Sequence, residues 1–304
     1  MPCENLKILQ KMNRKAFIQA CLVAAMALLT ACQQQKTSEE LVTQMFCAND
    51  SCEYANIHFS YDFPTSGPQA LLDSIRAYFQ ASFGETYTGD PADGQAMADF
   101  YVSSVKQEMQ RNWEEMRAES DNDTDSEWWD MFMMPSEQTD VFELTWQDDT
   151  FITYDNTYYY YGSGAAHGIG ATIGTSFFRK DGSTVTWSDL KDTDTEAFQA
   201  LLRKGLCNYF EIENEEELEE LLLLGEDENL YHLPRPTAKP CIREGGVEFI
   251  YYNYEIAPYA AGTPTFIVPI ASVRPFLGER LQQAFANHDD SSDSDDFSHR
   301  GGAY

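Results

Sequence analysis

The feature that most constrains this chain is the order in which its hydrophobic periodicities occur. Residues 55–63 alternate as a strand does and stop at Pro64. Behind Pro68, Leu71, Leu72, Ile75 and Phe79 recur at helical spacing, and Phe83-Gly84 closes that helix. A second, longer helix over 96–118 carries Met97, Tyr101, Val105, Met109, Trp113 and Met116 on one face, a Met-rich stripe expected to be core. Three strands follow, over 141–147, 151–161 and 171–179. Asp148-Asp149-Thr150 forms a hairpin turn, and Lys180-Asp181-Gly182-Ser183 turns the chain into 184–187. A helix over 195–210 places Phe198, Leu201, Leu202, Leu206 and Tyr209 on one side. Asn214, with Glu217 in a capping box, starts a short helix to Leu224. Strands over 247–254 and 265–270 and a closing helix over 273–285, with Pro275 in its first turn, complete the set. Helices and strands thus come in blocks, without strict β-α-β alternation. That order predicts an α+β fold of antiparallel sheets packed with helices, arranged as two small α+β domains. The charged run Asp121-Asn122-Asp123-Thr124-Asp125 marks the linker, giving domains over 46–135 and 136–287.

The first residues read as an address. Met12-Asn13-Arg14-Lys15 is a basic flank, and 18–29 is an apolar run of about twelve residues, against the roughly twenty a membrane span needs. The run ends Leu29-Thr30-Ala31-Cys32, which resembles the bacterial lipobox. The expectation is a signal peptide over 1–31, lipidation at Cys32 and a flexible tether over 32–45. Gln33 is not the aspartate of an inner-membrane retention signal, so the expected location is the cell envelope, at the outer membrane. The polar, acidic segment 288–304 is expected to be disordered.

Lys and Arg number 20 against 50 Asp and Glu, a net charge of −30. Such a chain lacks the basic footprint of a nucleic-acid binder and favours cationic partners. Once Cys3, Cys21 and Cys32 are assigned to the signal and the lipid, Cys47, Cys52, Cys207 and Cys241 remain. An even number in an exported protein suggests two disulfides; of three pairings, Cys47–Cys52 with Cys207–Cys241 is the most local. Their spacing does not suit a metal site.

The segment Tyr158-Tyr159-Tyr160-Tyr161-Gly162-Ser163-Gly164-Ala165-Ala166-His167-Gly168 is the most unusual. It fails the spacing of a nucleophile elbow, since Ser163 has glycine directly on both sides. It fails as a dinucleotide loop, since His167 stands where the third glycine belongs. It reads as a glycine-rich crossover between strands. Asp121, Asp123 and Asp125 begin like a calcium loop, but Ser126 and Phe132 occupy the positions of its glycine and bidentate glutamate. Trp128-Trp129-Asp130-Met131-Phe132-Met133-Met134-Pro135 reads as interdomain packing or an aromatic binding strip, and the acid run 211–228 as a solvated face. These readings assign no catalytic residue, no metal and no cofactor.

Two segments together resemble a known family. One is the Tyr-rich strand with Gly-x-Gly-x-x-His-Gly, Asp181-Gly182 and Trp187-Ser188-Asp189-Leu190. The other is Tyr254-Glu255-Ile256-Ala257-Pro258-Tyr259-Ala260-Ala261-Gly262, followed by Phe266-Ile267-Val268-Pro269-Ile270. Across about 158–283 they resemble the extracellular C-terminal domain family of RsiV, the lysozyme-responsive anti-sigma factor. That domain also forms the non-catalytic half of the peptidoglycan deacetylase PdaC. On the sequence, neither the sigma-binding segment and membrane helix of the one nor the catalytic domain of the other is expected, so their activities are not carried over. The resemblance implies a non-enzymatic binding module whose partner is a lysozyme-like cationic protein or a peptidoglycan fragment. A peptidoglycan-active hydrolase or deacetylase-like enzyme and a purely structural envelope module are the alternatives. Pro258, Gly262 and Pro264 fix a loop ringed by tyrosines, and Tyr158, Tyr160, His167, Tyr254 and Tyr259 are its expected contact residues.

Overall fold

The computed structural model describes residues 40–83, 87–120, 133–225, 229–286 and 297–298. The expected signal peptide, Cys32, the Asp121–Asp125 loop and Trp128-Trp129 lie outside them.

A five-stranded sheet is built in the order β1 (Val42–Ser51), β2 (Ala55–Ser66), β3 (Ser136–Gln147), β4 (Phe151–Tyr161) and β5 (Ile169–Phe178). A three-stranded antiparallel sheet contains β6 (Cys241–Arg243), β7 (Gly246–Ile250) and β8 (Thr265–Pro269). Six α-helices accompany them among the described residues: α1 (Gln69–Ser82), α2 (Gly94–Ser120), α3 (Glu196–Phe210), α4 (Leu218–Leu221), α5 (Ile270–Val273) and α6 (Glu279–Ala284). The fold class is α+β.

The larger sheet is not wholly antiparallel. β2 pairs with β3 in parallel, Ala55 opposite Ser136 through Tyr61 opposite Phe142. A parallel pair needs a long crossover, and α1 and α2 supply it. Strands from both sides of the expected division at 135/136 therefore hydrogen-bond into one sheet, and residues 41–304 form one compact unit. Two hydrophobic clusters lie within it. The first joins α1 and α2 to one face of the large sheet through Phe59, Tyr61, Phe79, Phe142 and Tyr154. The second joins α3 and the small sheet through Phe198, Leu202, Phe249 and Phe266.

Strand alternation sorts the large sheet's two faces. Along β4, Ile152 and Tyr154 belong to the helix-side cluster, while Phe151 belongs to the other. A bulge between Leu144 and Trp146 changes the face of β3, so that Leu144 packs on the helix side and Trp146 on the small-sheet side. The hairpin forms around Asp148, whose Oδ1 accepts from the amides of Thr150 and Phe151 (both 2.6 Å). At the next turn, Gly182 has φ +72° and Asp181 accepts from the Ser183 amide (2.9 Å).

Other expectations need correction. β1 begins at Val42, so the end of the expected tether is a strand. The Met-rich face of α2 is core at Met97, Tyr101 and Met109, but Trp113 and Met116 are only half-buried. The helix expected over 215–224 is a 3₁₀ turn at Glu215–Glu217 followed by the single turn α4, with Asn214 accepting from the Glu216 amide (3.1 Å). The expected closing helix is broken: α5 gives way to a 3₁₀ turn, Arg274–Phe276, and α6 starts after Gly278. Gly278 cannot carry a side chain there, because a Cβ would lie 2.6 Å from the Asp189 carbonyl, which the Gly278 amide also meets at 2.7 Å. Within the expected disordered tail, Phe297 is buried among the second cluster, Lys204 lies 4.4 Å above its ring, and Ser298 bridges Ile267.

All four candidate disulfide cysteines are free. Cys47 lies within extended β1, and Cys52 just beyond its end. The four residue-to-residue steps from 47 to 51 alone span about 13 Å, whereas bridged cysteines need Cα atoms within roughly 7 Å. Cys207 is on α3 within the second cluster, while Cys241 on β6 meets the Ser176 hydroxyl at 3.4 Å. Burial raises the pKa of both thiols, that of Cys241 to about 12.

Candidate functional site

The two segments singled out in the sequence meet in space. His167 and Tyr259 are stacked, with ring centroids 4.0 Å apart and planes 24° apart. Tyr254 stacks on the other neighbour of this set, 5.7 Å from Tyr259 at 30°. The Tyr259 hydroxyl donates to the Gly168 carbonyl (2.6 Å), tying the loop over 251–264 to the crossover between β4 and β5. Gly168 permits this approach, since a Cβ there would collide with the Tyr159 phenol. His167 and Tyr254 are exposed, so the column presents two aromatic faces to solvent.

The loop is fixed from several directions. Glu255 accepts from the backbone amides of Tyr252 (2.7 Å) and Thr237 (2.6 Å). Tyr209 of α3 donates to the Ala261 carbonyl (2.7 Å), and the Leu223 amide to the Ile256 carbonyl (2.8 Å). Tyr254 has φ +64°, a left-handed conformation that costs a non-glycine residue free energy and persists where its surroundings hold it. A rigid aromatic loop is a low-entropy contact surface.

Tyr158 and Tyr160 do not join this column. Tyr158 pairs with Asp140 and Tyr160 with Gln138, on the α2 side of the sheet, and Tyr160 packs against the first cluster. The residue the sequence reading missed is Tyr159, between them. It lines a cavity of about 270 Å³ with Gly170, Asn253, Tyr259, Ala260, Ala261 and Gly262. Strand alternation separates Tyr159 from its neighbours, but which face the loop covers depends on pairings distant in sequence.

His167 Nδ1 bonds the Gly168 carbonyl (3.1 Å), and the Ser163 amide donates to the Ser136 hydroxyl (3.0 Å). Neither His167 nor Ser163 lines the cavity. The Trp187-Ser188-Asp189-Leu190 motif is a scaffold. Trp187 donates to the Ala238 carbonyl (2.9 Å) and stacks on Phe249, while Asp189 accepts from the Thr186 amide (2.9 Å).

The two sheets also meet through a buried polar seam. Arg243 of β6 donates to Asp155 of β4 (2.5 Å), to Glu248 of β7 (2.6 and 2.8 Å) and to Thr145 of β3 (3.2 Å). Glu248 is 0% exposed, Asp155 4% and Arg243 8%. Burial opposes the guanidinium charge, yet the acidic neighbours raise its pKa overall. Thr153 and Ser176 complete the seam, donating to or accepting from Ile242 of β6. Gly174 leaves room for it, since a Cβ would collide with Cys241 and Arg243.

A second, more open depression of about 410 Å³ lies at the β1–β3 end of the large sheet, lined by residues that include Asn49, Asp50, His58 and Glu137. None of the expected contact residues lines it.

Residues 189–271 match the family model described as Protein of unknown function (DUF3298). A DUF3298-family crystal structure from Bacteroides fragilis NCTC 9343 is similar at 20% identity and a TM-score of 0.68, covering 84% of this chain and 100% of that one. Another, from Pseudomonas aeruginosa PAO1, is 15% identical with a TM-score of 0.50, covering 80% of this chain and 97% of its own. At these identities the likeness is one of fold. No curated protein matches the chain.

Proposed function

We propose that this protein is a non-enzymatic binding module of the cell envelope, tethered by lipid at Cys32 to the outer membrane. Its contact surface is the column His167–Tyr259–Tyr254. The observation that carries this reading is the exposure of that column on a loop fixed at both ends and at its centre. Preorganised tyrosines bring large contact area at small entropic cost. The partner class is a lysozyme-like cationic protein. The resemblance to the RsiV extracellular domain suggests it, and the net charge of −30 favours it.

The test is a titration of the full chain with lysozyme at two salt concentrations. Binding should weaken as salt rises, because the charge contribution is screened. Tyr259→Ala should weaken it by roughly 30-fold, as loss of a central aromatic does at an interface. Binding that is absent at low salt, or indifferent to Tyr259→Ala, contradicts the proposal.

A further inference from the structure

The small sheet ends in an open strand, and the chain covers that strand with a short piece of itself. β8 is the edge of the order β6-β7-β8. Ser298 forms an antiparallel bridge with Ile267 of β8, whose amide donates to the Ser298 carbonyl (2.7 Å). Phe297 beside it is 5% exposed and lies within the second cluster, with Lys204 of α3 4.4 Å above its ring. Ser298 itself is exposed, so the tail crosses the strand edge at the surface. A side chain seated beside a strand edge and a backbone hydrogen bond to that edge are the contacts of strand-addition peptide recognition. The main chain demands an extended backbone, and the pocket selects the side chain.

We propose that the outer edge of β8, with the Phe297 seat beside it, is a binding site for an extended peptide carrying an aromatic residue. The chain's own tail occupies it as a tethered ligand that such a peptide displaces. The sequence sets Phe297 apart from the core. Residues 287–296 hold five aspartates and no apolar side chain, so Phe297 is the first large apolar residue after Phe285. Among the described residues the tail attaches through one ring and one strand bridge. A segment with so few contacts belongs to the low-stability end of a fold, where local opening is frequent. Its tether compensates, since a short linker holds a ligand at an effective concentration on the order of millimolar. The aromatic ring is the required element of a competitor: it fills the apolar seat and meets the Lys204 ammonium by a cation–π contact. This site stands apart from the tyrosine column, and the proposal does not rest on that column as a contact surface.

The probe is a synthetic peptide of the tail's own sequence, Ser294 to Arg300, titrated by calorimetry into the full chain and into its Phe297→Ser variant. In the natural chain the tail competes for the seat. The variant leaves the seat open and should bind the peptide about tenfold more tightly. The same peptide carrying Phe297→Ser should bind neither protein. Circular dichroism checks that the variant folds, and amide exchange on the natural chain needs no variant. The Ile267 amide, which faces the tail, should exchange faster than those of Phe266 and Val268, and should gain protection when the peptide is added. Failure of the peptide to bind the folded variant overturns the proposal, as does equal binding to variant and natural chain. An Ile267 amide that exchanges as slowly as its neighbours and ignores the peptide also overturns it, because the tail is then a fixed part of the fold.

Discussion

The two faces of the five-stranded sheet are covered by different physics. On the helix side, Phe59, Tyr61, Phe79 and Phe142 make a continuous aromatic core, with tilted and edge-on ring pairs 4.9–6.1 Å between centroids. On the other side, Trp146, Phe151 and Phe178 share a hydrophobic cluster with Ile242, Val247 and Phe249 of the small sheet, and that contact also contains one buried arginine between two buried carboxylates, with hydroxyls around it. Hydrophobic packing is non-directional and adapts to changes of shape. A buried ion cluster tolerates little displacement, because each charge depends on its partner. The difference teaches why the tyrosine loop sits where it does. Both faces bury apolar side chains, and the polar seam on one of them adds directional contacts that fix the position of the sheet from which the loop emerges.

The sharpest way to break this comparison is to remove the cation from the seam. Arg243→Met removes the cation that lies between the buried carboxylates of Asp155 and Glu248 and should cost about 3–5 kcal/mol in denaturant unfolding. Replacing the whole cluster with apolar residues of similar volume (Arg243→Met, Asp155→Leu, Glu248→Met) should recover most of that loss. On the helix side, Phe79→Leu keeps most of the volume and should cost less than roughly 1.5 kcal/mol. Equal losses for Phe79→Leu and Arg243→Met would erase the distinction.

A smaller effect sharpens the aromatic side. Asp140 accepts hydrogen bonds from Tyr101 and Gln138, and burial raises its pKa while those bonds oppose the rise. A carboxyl whose folded pKa is raised binds more protons in the native state, so its contribution to stability falls as pH rises from the unfolded value through the folded one. Asp140→Asn should flatten the stability profile over that window, measured by urea unfolding at a series of pH values. An unchanged profile would show that Asp140 does not titrate there. The smallest effect is chemical. Cys47 is exposed, and Cys207 and Cys241 are buried with raised pKa values. A thiol reagent should modify Cys47 in the folded chain and reach the other two only on unfolding. A disulfide found between any of the four would contradict the free thiols.

Local signals carried the sequence reading of the fold. The helix behind Pro68, the Asp148 hairpin, β4 and the helix α3 are each set by residues within one or two turns. β1 was not legible, because it is an edge strand with most side chains exposed and no clean apolar alternation. The parallel β2–β3 pair joins segments about eighty residues apart, beyond any local pattern. The closing helix broke because Gly278 packs against Asp189, a tertiary contact that overrode helical periodicity. At the site, His167, Tyr254 and Tyr259 were singled out by unusual composition, but their stacking spans ninety-odd residues. Tyr159 was passed over for Tyr158 and Tyr160 because the sheet face covered by the loop is a property of the pairing.

The central claim is that the loop carried by the small sheet is the contact surface. Amide hydrogen exchange of the full chain, with and without lysozyme, tests it most directly. The account predicts new protection at 167–168 and across 254–262, with the β1–β3 depression around Asn49 and His58 unchanged. Protection confined to that depression, with the tyrosine loop exchanging as before, would contradict it.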